Sequence, residues 1–93
     1  MRKHGRPWHL SIWHSRTLRP WLDSPAALQL AVETSDAYGK HFASRAEVDA
    51  EIERLEEDPF IVSVHVDGPA SFALAYARDA DGTLTLRDTG GVS

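Results

Sequence analysis

Cysteine is absent from this chain. That excludes disulfides, thiolate nucleophiles and cysteine-ligated zinc, and a reducing, cytoplasmic setting is the default expectation. Long apolar runs are absent too. No segment comes near the roughly 20 apolar residues of a membrane span, so no membrane partner is expected. The basic start is followed by Pro7-Trp8-His9-Leu10-Ser11-Ile12-Trp13-His14, which lacks the apolar run and small-residue cleavage site of a signal peptide. There is no G-x-S-x-G nucleophile elbow. There is no glycine-rich phosphate cradle either, since Gly90-Gly91 is terminal and opens no helix.

What is present is the composition of an ordinary globule. The 93 residues are 42% hydrophobic and 26% charged, which suits one domain over 1–93. Residues 1–7 are expected to be a flexible basic arm and 89–93 a frayed tail.

Charge is sorted along the chain. The first twenty residues hold Arg2, Lys3, Arg6, Arg16 and Arg19 and no acid. From Ser44 to Asp58 there are seven acids (Glu47, Asp49, Glu51, Glu53, Glu56, Glu57 and Asp58) against Arg45 and Arg54. Charge sorted in this way acts on encounter and partner choice more than on fold.

Hydrophobic period organises the rest. Trp8, Leu10 and Ile12 alternate with His9, Ser11 and Trp13, the period of a strand. Residues 15–25 contain Pro20 and Pro25 and read as a loop, with Leu18, Trp21 and Leu22 expected to fold back onto the core. Leu28, Leu30 and Val32 alternate with Gln29, Ala31 and Glu33, which predicts a second strand. Ser35-Asp36-Ala37 predicts a turn, and Tyr38 to Phe42 a short extended run.

The helix signal is the clearest. Ser44 and Glu47 have capping-box spacing. Val48, Ile52 and Leu55 form one stripe with Ala46 alongside, and Pro59 ends the helix. Beyond it, Phe60, Val62, Val64 and Val66 predict a strand. Asp67-Gly68-Pro69-Ala70 reads as a turn. Phe72, Leu74 and Tyr76 alternate with alanines. Asp79-Ala80-Asp81-Gly82 is a hairpin connection before a last strand with Leu84 and Leu86. The expected fold class is α+β: an antiparallel sheet of about four to six strands with one helix packed on one face, a two-layer sandwich.

Candidate chemistry is sparse. The histidines His4, His9, His14, His41 and His65 form no metal-helix pair. Ser63 and His65 share a strand face without a base–orienter arrangement. Asp79 and Asp81 lack the further oxygen ligands of a calcium loop. No catalytic residue, metal or cofactor is therefore expected. Two surfaces remain. Arg2, Lys3, Arg6 and Arg16 with Trp13 have the composition of a nucleic-acid or self-docking surface, although an overall pI near 5.6 disfavours a dedicated nucleic-acid binder. The acids of the helix make a negative surface suited to a basic protein such as a toxin or nuclease.

The run Ser44-Arg45-Ala46-Glu47-Val48-Asp49-Ala50-Glu51-Ile52 continues through Leu55, Pro59 and the strand Val62 to Asp67. With Ala73-Leu74-Ala75-Tyr76, Asp81-Gly82-Thr83-Leu84 and Asp88-Thr89-Gly90-Gly91, it resembles small actinobacterial immunity proteins of polymorphic toxin systems. Members have a strand pair, a helix opening on serine or threonine, and a meander closing on a glycine-rich tip. The resemblance covers Leu28 to Ser93, and the tryptophan-bearing N-terminus departs from it. It implies a non-enzymatic inhibitor that binds a toxin domain and buries its active site. On that reading Glu51, Glu53, Glu56, Glu57, Asp79 and Asp81 carry the contacts. Two other readings stay open: a phage-type inhibitor of a bacterial defence nuclease that mimics nucleic acid with its acids, and a small nucleic-acid-binding module. A homodimer, held by sheet edges or tryptophans and oriented by opposite charges, is also open.

Overall fold

The computed structural model describes residues 6–88. Arg2, Lys3 and His4 of the basic arm, and the tail from Thr89, lie outside the described residues. The chain runs β1 (Trp8–His14), α1 (Pro25–Glu33), β2 (Asp36–Phe42), α2 (Arg45–Glu56), β3 (Ile61–Asp67), β4 (Ala73–Arg78) and β5 (Leu84–Asp88). Short 3-10 turns sit at Pro20–Leu22 and Pro69–Ser71.

The five strands form one sheet in the order β2-β1-β3-β4-β5, with every neighbouring pair antiparallel. β2 and β3 flank β1 and run parallel to each other, so α2 is the crossover between them. The fold is α+β, as its periodicity predicts. The β3-β4-β5 meander follows from connections too short for anything but antiparallel return.

Alternation along the strands separates two faces. Ile12 pairs with Val64 and Leu10 with Val66, and those valines face Tyr76 and Leu74 on β4. The core joins Leu10, Ile12, Ile61, Val64, Val66 and Leu84 to Val48 and Leu55 of α2. Burying each such aliphatic side chain is worth roughly 1.5–3 kcal/mol. Trp8, Phe42, Ile52, Phe72, Leu74 and Tyr76 close its margin. The other face carries Ser11, Trp13, Ser63 and His65 with the alanines of β4.

α2 begins as its capping residues require, with one variation. Ser44 Oγ accepts from the Glu47 N–H at 3.3 Å. The Glu47 carboxylate accepts from Ala43 N–H at 2.9 Å, one residue before the cap. Two free amides are still satisfied from one S-x-x-E pair. Ala46 lies outside the apolar stripe, exposed.

The segment expected as a second strand is a helix instead. Ser24 caps α1 by accepting from Ala27 N–H at 3.0 Å, and Pro25 occupies the first helical position. A proline there costs no hydrogen bond and supplies helical φ. Gln29 donates to Glu33 at 2.8 Å one turn later. The alternation of Leu28, Leu30 and Val32 misled because it does not mark a buried face: Leu30 and Val32 are exposed, and Ala31 is the residue α1 buries. The turn expected at Ser35-Asp36-Ala37 is not there: β2 begins at Asp36, and Asp36 and Ala37 pair with His14 and Trp13 of β1. Leu18 and Leu22 stay exposed rather than folding onto the core, whereas Trp21 does fold inward.

Candidate functional site

The acids singled out from the sequence divide into two groups. Glu51 is drawn inward, with its side chain 11% exposed. It accepts from Lys40 on β2 at 2.9 Å and from Arg54 on its own helix at 3.2 Å. The Arg54 bond is the main reason its carboxyl is held below the usual glutamate range, against the opposing effect of burial. Glu56 accepts from the Leu84 backbone N–H at 3.1 Å and from Arg78 at 3.4 Å, tying α2 to β5. Asp79 pairs with Arg87 and Thr85 across the hairpin. Asp81 accepts from Thr83 N–H at 2.9 Å, and that backbone donor holds its carboxyl below the normal aspartate range. These four acids build the fold.

Glu53 and Glu57 differ. Both are exposed, and neither appears in an ion pair among the described residues. With Ile52 and Glu56 they line an open groove of about 460 Å³ on the outer side of α2. The helix beneath is fixed by Val48 and Leu55, which are fully buried. The free carboxylates therefore stand on a rigid element beside a half-buried isoleucine.

The residue that organises this end of the molecule is Arg78, whose side chain is 2% exposed. It lies on β4 in phase with Leu74 and Tyr76, so alternation turns it toward the core. Its guanidinium donates to the carbonyls of Ile61 at 2.7 Å, Gly82 at 2.8 Å, Asp58 at 2.8 Å and Leu55 at 3.2 Å. It also reaches Glu56. The Trp21 ring covers its outer side at 4.4 Å. Burial pushes the Arg78 pKa down and the carboxylates of Glu56, Asp58 and Glu57 push it back up. An arginine remains charged under such conditions. One side chain thus joins the end of α2, the start of β3, the β4–β5 hairpin and the loop after β1. The legible signal was phase: Arg78 continues the apolar row Phe72, Leu74, Tyr76.

Gly82 completes the node. Its φ is +88°, and a Cβ there would lie 2.5 Å from Trp21 Nε1. Only glycine serves both the turn and the indole. The hairpin closes with Asp79 N–H to Thr83 O at 2.9 Å, as its spacing predicts.

Where it is described, the basic, tryptophan-rich surface has exposed arginines and half-buried tryptophans, most of them in contact with other parts of the fold. Trp8 meets the edge of Phe72 at 5.2 Å, and Arg45 covers Phe72 at 4.8 Å. Arg16 pairs with Asp36 at 3.3 Å and Arg6 donates to the His41 carbonyl at 3.4 Å. Trp13 lies against His65 at 4.7 Å on the second sheet face. His9 and His41 are cross-strand neighbours with ring centres 4.6 Å apart. Among the described residues no group of three histidine, aspartate or glutamate side chains is arranged to hold a metal. Ser63 Oγ donates to the Tyr76 carbonyl at 3.2 Å. Among the described residues no helix is long and apolar enough to cross a membrane. No family model, curated protein or solved structure matches the chain.

Proposed function

We propose that this chain is a small, non-enzymatic binding protein that masks a basic macromolecular partner, in its most concrete form an immunity protein that neutralises a toxin domain. The observation that carries the reading is the outer groove of α2. Glu53 and Glu57 flank Ile52 there on a helix pinned by Val48 and Leu55. Free carboxylates around an apolar point make a surface that attracts cations at long range and excludes water on contact. Charge preorganised on a rigid element loses little entropy when a partner docks.

The surface is narrower than total acid content implies. Glu51, Glu56, Asp79 and Asp81 already have partners within the fold, so exposing them to a toxin gains less. The test is co-expression with the toxin domain encoded beside this chain's gene, followed by calorimetric titration of the purified pair. Reversing both free acids, Glu53→Lys and Glu57→Lys, is expected to weaken binding by at least about tenfold, roughly 1.4 kcal/mol. Glu51→Gln is expected to lower stability with little change in affinity. Equal affinity for the double reversal and the native chain would remove the groove from the mechanism.

A further inference from the structure

The two margins of the sheet are unlike. β5 spans five residues and its register with β4 is broken by an irregularity at Ala75–Tyr76. β2 spans seven residues, pairs with β1 without interruption, and is the last strand of the sheet on its side. Asp36, Ala37, Tyr38 and Gly39 are all exposed, although successive side chains point to opposite faces. No strand lies beyond the outer edge; on the faces His14 stands against Tyr38 at 5.7 Å and the His9 ring lies over Gly39. The strand has no proline and no bulge, and its lone lysine is turned to Glu51. Proline and bulges are devices that blunt an edge, and β2 lacks both; its charges, Asp36 and Lys40, are paired within the fold.

Chemistry along β2 is self-complementary. Asp36, Tyr38 and Lys40 alternate onto one face, opposite His14, Ile12 and Leu10 of β1. Two such strands can meet antiparallel about a two-fold axis at Tyr38. Each Asp36 then faces Lys40 of the other copy, and the two tyrosines face one another. Asp36 already holds Arg16, and Lys40 already holds Glu51. The junction would extend these pairs into two rows of alternating sign, Arg16–Asp36–Lys40–Glu51, each crossing from one copy to the other. On the second face Ala37 meets Gly39, the smallest residues of the strand, with Trp13 and His9 of β1 beside them. Tyr38 (42% exposed) and Phe60 (40% exposed) line one open groove beside the edge and supply apolar surface.

We propose that β2 is the interface of a homodimer, in which two copies join edge to edge about Tyr38 into a continuous ten-stranded antiparallel sheet. The symmetry is isologous, so pairing stops at two copies. The acidic grooves of α2 lie outside the junction, and the dimer presents two of them.

The absence of cysteine makes the register testable. Facing residues in an antiparallel pair have Cα atoms about 4.5–5.5 Å apart, within disulfide range. Tyr38→Cys, the single cysteine in the chain, should form a covalent dimer on mild oxidation. Asp36→Cys and Lys40→Cys should not, because each faces the other position rather than itself. Light scattering of the native chain should give twice the 10.3 kDa chain mass, with the dimer weakening as salt rises. Asp36→Lys and Lys40→Asp should each raise the dissociation constant about tenfold by opposing like charges, and mixing the two variants should restore association. A monomeric mass at every concentration, with unaltered far-UV circular dichroism and no cross-link at position 38, overturns the proposal. Cross-linking at position 36 or 40 in preference to 38 overturns the register.

Discussion

The two ends of the sheet solve opposite problems. At the β4–β5 end, one buried guanidinium satisfies four backbone carbonyls, and Glu56, Trp21 and Gly82 close around it. Among the described residues no buried side-chain polar atom is left without a partner. At the β2 end, exposed residues follow one another and no strand is paired to the outer backbone edge. A buried polar node is costly to disturb because every lost partner leaves a desolvated group behind. An open edge is cheap to change and chemically available. Stability is thus concentrated at one margin, and the proposed association falls at the other.

The sharpest way to break this contrast is Arg78→Met. It removes the charge, leaves the Ile61, Gly82, Asp58 and Leu55 carbonyls short of a donor, and frees Glu56 in a partly buried place. A loss of about 3–5 kcal/mol is expected, read from the urea midpoint. That is a large share of a total of about 5–15 kcal/mol. Lysine at 78 should not rescue it, since a point charge cannot span the five acceptors. Gly82→Ala tests the same node more gently. A positive φ and the contact with Trp21 should together cost about 1–3 kcal/mol, with a change in tryptophan fluorescence.

Smaller effects come from the elements between the two ends. Ser44→Ala should cost about 1 kcal/mol through the lost cap of α2. Acid should weaken the Lys40–Glu51–Arg54 cluster. The Glu51 carboxyl is held below its ordinary value, so its contribution is present above the unfolded pKa and disappears as pH falls through the folded one. The urea midpoint should therefore fall as pH drops through and below the ordinary glutamate range, and Glu51→Gln should flatten that fall. At the open end, Tyr38→Ser should move monomer stability by no more than about 0.5 kcal/mol. A large loss there would show that β2 is a structural strand and would undo the contrast.

Much of the fold was legible because its core faces obey simple periods. β1, β3 and β4 alternate, and α2 has a cap, a stripe and a terminating proline. α1 was not legible by period. Its apolar residues are not sorted by burial, so the alternation of Leu28, Leu30 and Val32 carried no information about the backbone. The local signal that did apply was the Ser24-Pro25 start, a cap followed by a residue fitted to the first turn. The acidic surface was legible as charge but not as chemistry. Glu51 and Glu56 read as outward positions, yet Lys40, Arg78 and the Leu84 amide reach them from strands distant in sequence.

By itself the sequence determined the α+β class, the meander, the position and ends of α2, and the exclusion of thiol chemistry. Those depend on neighbours within one or two turns, or on composition. Only the tertiary structure decided which acids are free, that Arg78 is the node, and that β2 is the longer margin with an unbroken register. Each of these depends on which strand lies beside which, and strand order is set by packing across the whole sheet rather than by any local period.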